Sequence, residues 1–404
     1  MFRQVPLGEL VAFRTGKLDS NAAVVDGAFP FFTCSKETLR TDTYAFDAEC
    51  VLLAGNNASG SFPIKYFRGK FNAYQRTYVI QSRDSALVNV RYLYYALRLQ
   101  LELMRSLSTG VSTKFLTLGI LNSVEIPLPP LSIQRMIAAI LGPYDDLIEN
   151  NNRRIKLLEE MAQRIYREWF VDLRYPGHQD VQLVKSELGP IPEGWLVECV
   201  GDHVHVIRGR SYRGADVAEE GGVPFINLKC VARDGGFRRE GIKRYIGDFR
   251  EANKASPGDI IMAVTDMTQE RRIVARAARV PDTGEEFGIF SMDLVKVVPN
   301  HLPVEYVLGM LRYSDFPDRV KAYANGANVL HLHPDRIRDF RSAFPLPSVA
   351  HQYADQVSPM ERLADDLHAA KKRLRATRDL LLPRLVSGEI DITDLDIAMP
   401  HVAL

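Results

Sequence analysis

The chain has 404 residues, 46% of them hydrophobic and 25% charged, with a formal net charge of +1 and a pI near 7.7. This excludes a disordered or membrane-embedded chain and leaves room for two or more buried cores. No apolar run approaches the roughly 18 residues of a membrane span and Met1 to Leu10 lacks a signal-peptide core, so a soluble cytoplasmic protein is expected, and any nucleic-acid interface must come from local charge clusters.

Residues 1–130 read as a mixed α/β domain. Strand-like runs at Phe29–Phe32, Cys50–Ala54 and Thr77–Ile80 are separated by Gly, Asn and Asp turns, and Val90 to Leu107 reads as helix. Gly55-Asn-Asn-Ala-Ser-Gly60 is followed by Ser61 where a phosphate-binding loop needs Lys, so no nucleotide site is expected there. Two readings of that stretch stay open: a plain turn, or a loop whose Asn56, Asn57 and Ser59 hydrogen-bond bases or phosphates. Lys65, Arg68 and Lys70, followed by Asn72, Tyr74, Gln75 and Arg76, combine cations for phosphate with side chains suited to base edges. Lys114 follows a Gly-containing loop, Ser108-Thr-Gly-Val111, and is a weaker candidate.

Residues 131–175 are organised as one long helix. Ile133, Ile137, Ile140, Tyr144, Leu147/Ile148, Ile155, Leu158, Ala162, Ile165 and Trp169 step mostly by four and three, which keeps a seam on one helix face. Asn151 falls in the seam where the spacing relaxes, a position suited to fixing register. After a linker at 176–185, residues 186–347 repeat the first domain's plan. Val223–Lys229 matches Phe29–Ser35, Asp259–Ala263 matches Cys50–Ala54, Val304–Tyr313 matches the Val90 helix, and Ala324-Asn-Gly-Ala327 matches the earlier Gly loop. The candidate cations here are Arg208, Arg210, Arg213, Lys229, Arg271, Arg272 and Arg276, with Arg279 beside them and Asn328 after the Gly loop. The alternative for Arg271 to Arg279 is a solvated strand face. Residues 348–390 form a second long helix with its seam at Val349, Tyr353, Val357, Met360, Leu363, Leu367, Ala370, Leu374, Leu381 and Leu385, and 391–404 are a tail. Two helices with exposed apolar stripes in one chain most simply cover each other, so an antiparallel pair is expected.

Groups that carry chemistry are sparse. Cys34, Cys50, Cys199 and Cys230 have no CxxC spacing, which argues against a zinc site or a disulfide framework and for buried thiols. His203/His205 and His331/His333 would each share a face on a strand, but no third ligand lies near, and no metal is expected. There is no N/D-P-P-Y/F element for adenine N6 transfer and no glycine-rich cofactor motif, so no cofactor is expected either.

Ile126-Pro-Leu-Pro-Pro-Leu-Ser-Ile-Gln134, then Ile137-Ala-Ala-Ile-Leu141, and the helix end Arg167-Glu-Trp-Phe-Val-Asp-Leu173 resemble the specificity subunit of type I restriction-modification systems. With the second domain and helix, the resemblance covers essentially the whole chain. Ile133 and His351 stand where that family usually has an acidic residue before the glutamine. The resemblance implies an α+β fold: two tandem target-recognition domains separated and followed by long helices, paired as an antiparallel coiled coil with pseudo-two-fold symmetry. It implies a non-catalytic subunit that reads a bipartite double-stranded DNA target and positions adenine-N6 methyltransferase subunits, with motor-nuclease subunits joining for restriction. A helix of about 38 residues spans roughly 57 Å, enough to separate two readers by the ~34 Å of one duplex turn. A coiled-coil adaptor that binds only protein, or a stand-alone DNA-modifying enzyme, are the other classes in play.

Overall fold

The computed structural model describes residues 2–58 and 60–395. It divides into two compact units, one of residues up to Asn150 with those from Ala370 onward, the other of Asn151–Ala369. No helix among the described residues is long and apolar enough to cross a membrane.

The first unit's strands are β1 (Gln4–Pro6), β2 (Val11–Thr15), β3 (Phe29–Phe32), β4 (Leu39–Thr41), β5 (Phe46–Ala54), β6 (Asn56–Asn57), β7 (Ile64–Ala73), β8 (Thr77–Ser82), β9 (Lys114–Phe115) and β10 (Glu125–Pro127), with helix α1 (Val90–Leu99). A six-stranded sheet runs β2-β8-β5-β7-β3-β4, antiparallel except where β3 lies parallel to β7. Strand alternation gives it two apolar faces. Val51, Leu53 and Ile80 meet Tyr92, Leu93 and Ala96 of α1 in the main core, while Cys50, Leu52, Phe71 and Val79 pack with Phe32 on the other face. Burial, helped by Glu49, pushes the Cys50 thiol up to about 12. Cys34 and Cys199 are only half-buried, against the expectation of buried thiols throughout.

Helix α2 (Leu131–Tyr166) continues as a π-type turn over Arg167–Val171. Its motif glutamine anchors the first domain. Gln134 has no exposed surface; its Oε1 accepts from the Asn89 amide at 2.9 Å, and its Nε2 donates to the carbonyls of Leu87 (3.0 Å) and Pro129 (2.9 Å). Asn89 in turn caps α1 by accepting from the Tyr92 amide at 2.9 Å. Proline and glutamine of the motif thus serve one joint between helix and domain.

In the second unit the strands are β11 (Leu183–Ser186), β12 (Gly189–Pro192), β13 (Leu196–Cys199), β14 (Val204–Arg208), β15 (Val217–Ala218), β16 (Val223–Ile226), β17 (Lys243–Tyr245), β18 (Lys254–Ala255), β19 (Ile260–Ala263), β20 (Thr265–Asp266), β21 (Ala277–Arg279), β22 (Gly288–Phe290), β23 (Leu294–Pro299), β24 (Leu330–His331) and β25 (Arg341–Phe344). Helix α3 (Val304–Tyr313) lies after β23, and α4 (Pro347–Ser387) closes the chain's described helices. The pairings repeat those of the first domain. β13 with β25 answers β1 with β10, β14-β23-β19-β21 answers β2-β8-β5-β7, and β20 with β24 answers β6 with β9. Parallel pairing also recurs, β16 with β22. The difference is that the ten residues of β7 are split into β21 and β22, which cuts one six-stranded sheet into a four- and a five-stranded one.

Both units contain antiparallel helix contacts. In the first, Ile137 and Leu141 share a core with Leu382 and Leu385, and one turn on Asp145 meets Arg378, so α2 ascends as α4 descends. In the second, Leu158 and Ala162 line one cavity with Met360 and Ala364, and Trp169 packs on Tyr353 with ring centroids 6.1 Å apart. The seams differ from expectation in detail. Ile148 is buried and Leu147 is 51% exposed; Leu363 is also exposed, while Arg378 occupies a buried place that apolar spacing did not mark. Asn151 is buried, as its seam position requires. The Trp169-Phe-Val-Asp172 segment forms an aromatic cluster: Phe170 lies 4.9 Å from Tyr306, 5.2 Å from Tyr353 and 6.0 Å from Trp195. A forked Arg174–Glu168 pair at 2.7 and 2.8 Å closes the turn.

Candidate nucleic-acid interface

Each domain carries the same small device, a two-stranded ribbon whose second strand closes a seven-residue loop. In the first domain β6 pairs with β9, Asn56 facing Phe115 and Asn57 facing Lys114. The loop is held by Thr109 N to Phe115 O at 3.1 Å and Phe115 N to Thr109 O at 2.8 Å. In the second, Thr265 faces His331 and Asp266 faces Leu330, and the same two bonds run between Asn325 and His331 at 3.1 and 2.8 Å. Gly110 (φ +102°) and Gly326 (φ +146°) occupy the same place in the two loops, and a Cβ on either would collide with the carbonyl of Thr113 or Val329. The glycines matched in the sequence therefore shape one recurring turn.

Around the first ribbon the structure brings together Asn56, Lys114, Gln75 and Arg76. The Cys34 thiol donates to Asn56 Oδ1 at 3.0 Å and to the Arg76 carbonyl at 3.4 Å, and the Arg76 guanidinium lies 5.7 Å from the Phe115 ring centre. Gln75 and Arg76 are exposed. Ser59 lies outside the described residues. The Lys65, Arg68 and Lys70 cluster does not form one surface, because alternation along β7 sends Lys65 to one face and the other two to the opposite face. Lys65 donates to the Glu37 carbonyl (2.8 Å) and Thr38 Oγ1 (3.0 Å), and burial pulls its ammonium down to about 8 against Glu37 and Glu149. Arg68 and Lys70 stand in register with Glu49 and Asp47.

The second ribbon borders a cleft of about 660 Å³. Arg208, Arg271 and Arg336 line it with His331 and His333, and no carboxylate is among its lining residues. Arg208 ends β14 and bonds His333 Nε2 at 3.2 Å; Tyr323 carries Arg336 over its ring at 5.0 Å. The remaining candidates scatter. Arg272 pairs with Glu270, Arg276 with Asp318 at 3.1 Å, and Arg279 with Glu361 and Asp365, each at 3.3 Å. Arg210 makes a bridge to Ser291 beside β22, the Arg213 amide donates to Asp216 at 2.7 Å, and Lys229 and Asn328 are exposed. Arg271 to Arg279 is therefore neither one interface nor one solvated face.

Spacing within the chain did not mark Tyr323, His331, His333 and Arg336 as neighbours of Arg208, since more than a hundred residues intervene and folding brings them to one cleft. The two H-x-H pairs differ: His203 is buried and stacked 3.8 Å from Phe344 whereas His205 is exposed, while His331 and His333 are both exposed and line the same cleft. A second, tighter cavity of about 100 Å³ between α2, α4 and the second domain holds Arg239, Arg279 and Asp365. Its charges are spent on one another, with Arg239–Asp365 at 3.0 Å. A cleft lined by three arginines and two histidines, with no carboxylate among its lining residues, suits a polyanion.

Residues 2–160 match the family model of the type I restriction modification DNA specificity domain. The chain is similar to the specificity subunit of type I restriction enzyme EcoDI from Escherichia coli, 39% identical over 163 residues, covering 40% of this chain and 35% of that one. It is also similar to the MjaIX specificity subunit from Methanocaldococcus jannaschii, 25% identical over 317 residues, or 75% of this chain and 70% of the relative. The match thus spans about a third of the first relative's length. The crystal structure of the type I restriction-modification S subunit from M. genitalium shares the fold, with a TM-score of 0.61 at 15% identity over 95% of this chain and 96% of that one. These matches agree with the resemblance carried by residues 126–141.

Proposed function

We propose that this chain is the DNA specificity subunit of a type I restriction-modification complex. Residues 1–130 and 186–347 act as two target-recognition domains, each reading one half of a split duplex sequence. The observation that carries this reading is the ribbon and glycine loop built twice, bordered in one domain by Asn56, Gln75, Arg76 and Lys114 and in the other by the cleft of Arg208 and Arg271. Cations there hold phosphates, while Asn, Gln and Arg suit base edges. Asn328 borders the second site on its loop. The long helices space the two readers and dock methyltransferase subunits that supply adenine-N6 chemistry; motor-nuclease subunits add cleavage. The chain itself contributes recognition without catalysis and holds no cofactor.

Methylome sequencing of a host carrying this chain with its methyltransferase subunit tests the reading. A bipartite methylated motif is expected, and replacing residues 1–130 by those of a relative should change one half of it alone. Change in both halves, or methylation by this chain without the partner, would contradict it.

A further inference from the structure

The segment Met267–Arg272 leaves β20 as an arm at the rim of the second domain's cleft, and one carboxylate shapes it. Asp266 has no exposed surface. Its Oδ1 accepts from Thr268 N (2.8 Å) and Thr268 Oγ1 (2.9 Å), and its Oδ2 from Ile273 N (2.7 Å) and Val274 N (3.3 Å). Burial alone would push this carboxyl up, but the hydrogen bonds from Ile273, Thr268 and Val274 outweigh it and hold the group below its ordinary value. The arm's two ends are thereby drawn to one ionised group.

The backbone within the arm and just after it is strained. Arg271 has φ +52° and Ala275 φ +65°, a region that side chains other than glycine's avoid and that persists only where the surroundings over-determine it. Gln269 Nε2 adds a third fastening, donating to the Ala327 carbonyl at 2.9 Å on the glycine loop. The two arginines of the arm then differ. Arg272 is neutralised by Glu270, whereas Arg271 lines the cleft and its Nε is buried without a hydrogen-bond partner.

We propose that Asp266 is a positioning residue for DNA reading: it folds the arm around its carboxylate so that Arg271 presents its guanidinium to DNA seated on the cleft. This rests on the DNA-reading role above. The acceptor is a pair of oxygens or ring nitrogens, either a phosphate or the O6/N7 edge of guanine. The first domain has Asn57 at the corresponding ribbon position, so the device belongs to the half-site read by the second domain.

The test uses the full chain assembled with its methyltransferase subunit, binding duplexes that carry the methylated motif or a version altered in one half, over a range of salt. Asp266→Asn and Arg271→Ala should each weaken binding to the intact motif about tenfold, and the double variant should be no weaker than either single within about twofold. If Arg271 meets a phosphate, the salt slope falls by about 0.9 on every duplex; if it meets guanine, discrimination at the second domain's half-site falls instead. Wild-type affinity for Asp266→Asn, or losses that add, would overturn the proposal. Should Asp266→Asn fail to fold, Thr268→Val removes one of the four bonds and should cost about two- to fivefold, vanishing in the Arg271→Ala background; no loss overturns it equally. A wild-type complex with no sequence-dependent binding would instead overturn the DNA-reading role.

Discussion

Arg378 of α4 and Asp145 of α2 form an ion pair in a helix seam. The Arg378 side chain is 7% exposed and that of Asp145 21%; the carboxylate also accepts from the Tyr95 hydroxyl at 2.7 Å. Asp379 holds the other side of the guanidinium at 2.9 Å, and Arg98 reaches Asp379 at 3.0 Å.

Removing one member strands a buried charge. Arg378→Ala should destabilise the first unit by about 3–5 kcal/mol, while Arg378→Met with Asp145→Leu should recover most of the loss. Urea unfolding of both variants measures this. Equal stability of Arg378→Ala and the wild type would show that water already screens the pair.

Gln134 and Gln352 align in sequence but should respond differently. Gln134→Leu leaves the Asn89 amide and two carbonyls without their partner and should cost about 2–4 kcal/mol. Gln352→Leu alters an exposed side chain and should stay within about 0.5 kcal/mol. The reason lies in the preceding helices. Asn89 at the α1 N-cap has an amide to offer, whereas Pro303 at the α3 N-cap has none. Thermal melts of the two variants provide the comparison.

Glu361 of α4 makes stability pH-dependent. Burial raises its carboxyl to about 7 against the lowering pull of Arg279 and Arg312, with Glu305 and Asp365 adding to the rise. A raised carboxyl binds its proton more tightly in the folded state, so its contribution is present at low pH and is lost as pH rises from about 4.5 through 7. Relative to Glu361→Gln, the wild type should lose on the order of 1–3 kcal/mol across that window. Parallel pH profiles would show that the carboxyl titrates normally.

The helices should also behave as a spacer. Four residues inserted between Asn152 and Arg153 add about 6 Å and little more than one turn, nearly keeping the seam's direction. The methylated motif should keep both halves and gain one or two unspecified bases between them. A folded, active variant with the original spacing would sink the idea.

What the sequence made legible was periodic or repeated. Ile137, Ile155, Ala162 and Trp169 reveal α2 because 3.6-residue spacing survives in the chain, and Gly110 and Gly326 revealed the recurring loop. Arg378 stayed hidden, since a guanidinium reads as solvent-facing until its carboxylate partner, 233 residues away, is known. Ribbons of two residues have no period to detect, so nothing in the sequence singles out Asp266. Counting cations overestimated β7, where alternation separates Lys65 from Arg68.

The loop built around Gly110 and Gly326 has a consequence for how such a chain can change. It is closed by two backbone hydrogen bonds and a glycine, which involve no side chain of Phe115 or His331, so these two residues can occupy one mount while differing entirely in chemistry. Mutation at these places alters what is presented without disturbing the presenter. With two such mounts in one chain, the residues at one can change while those at the other stay as they are.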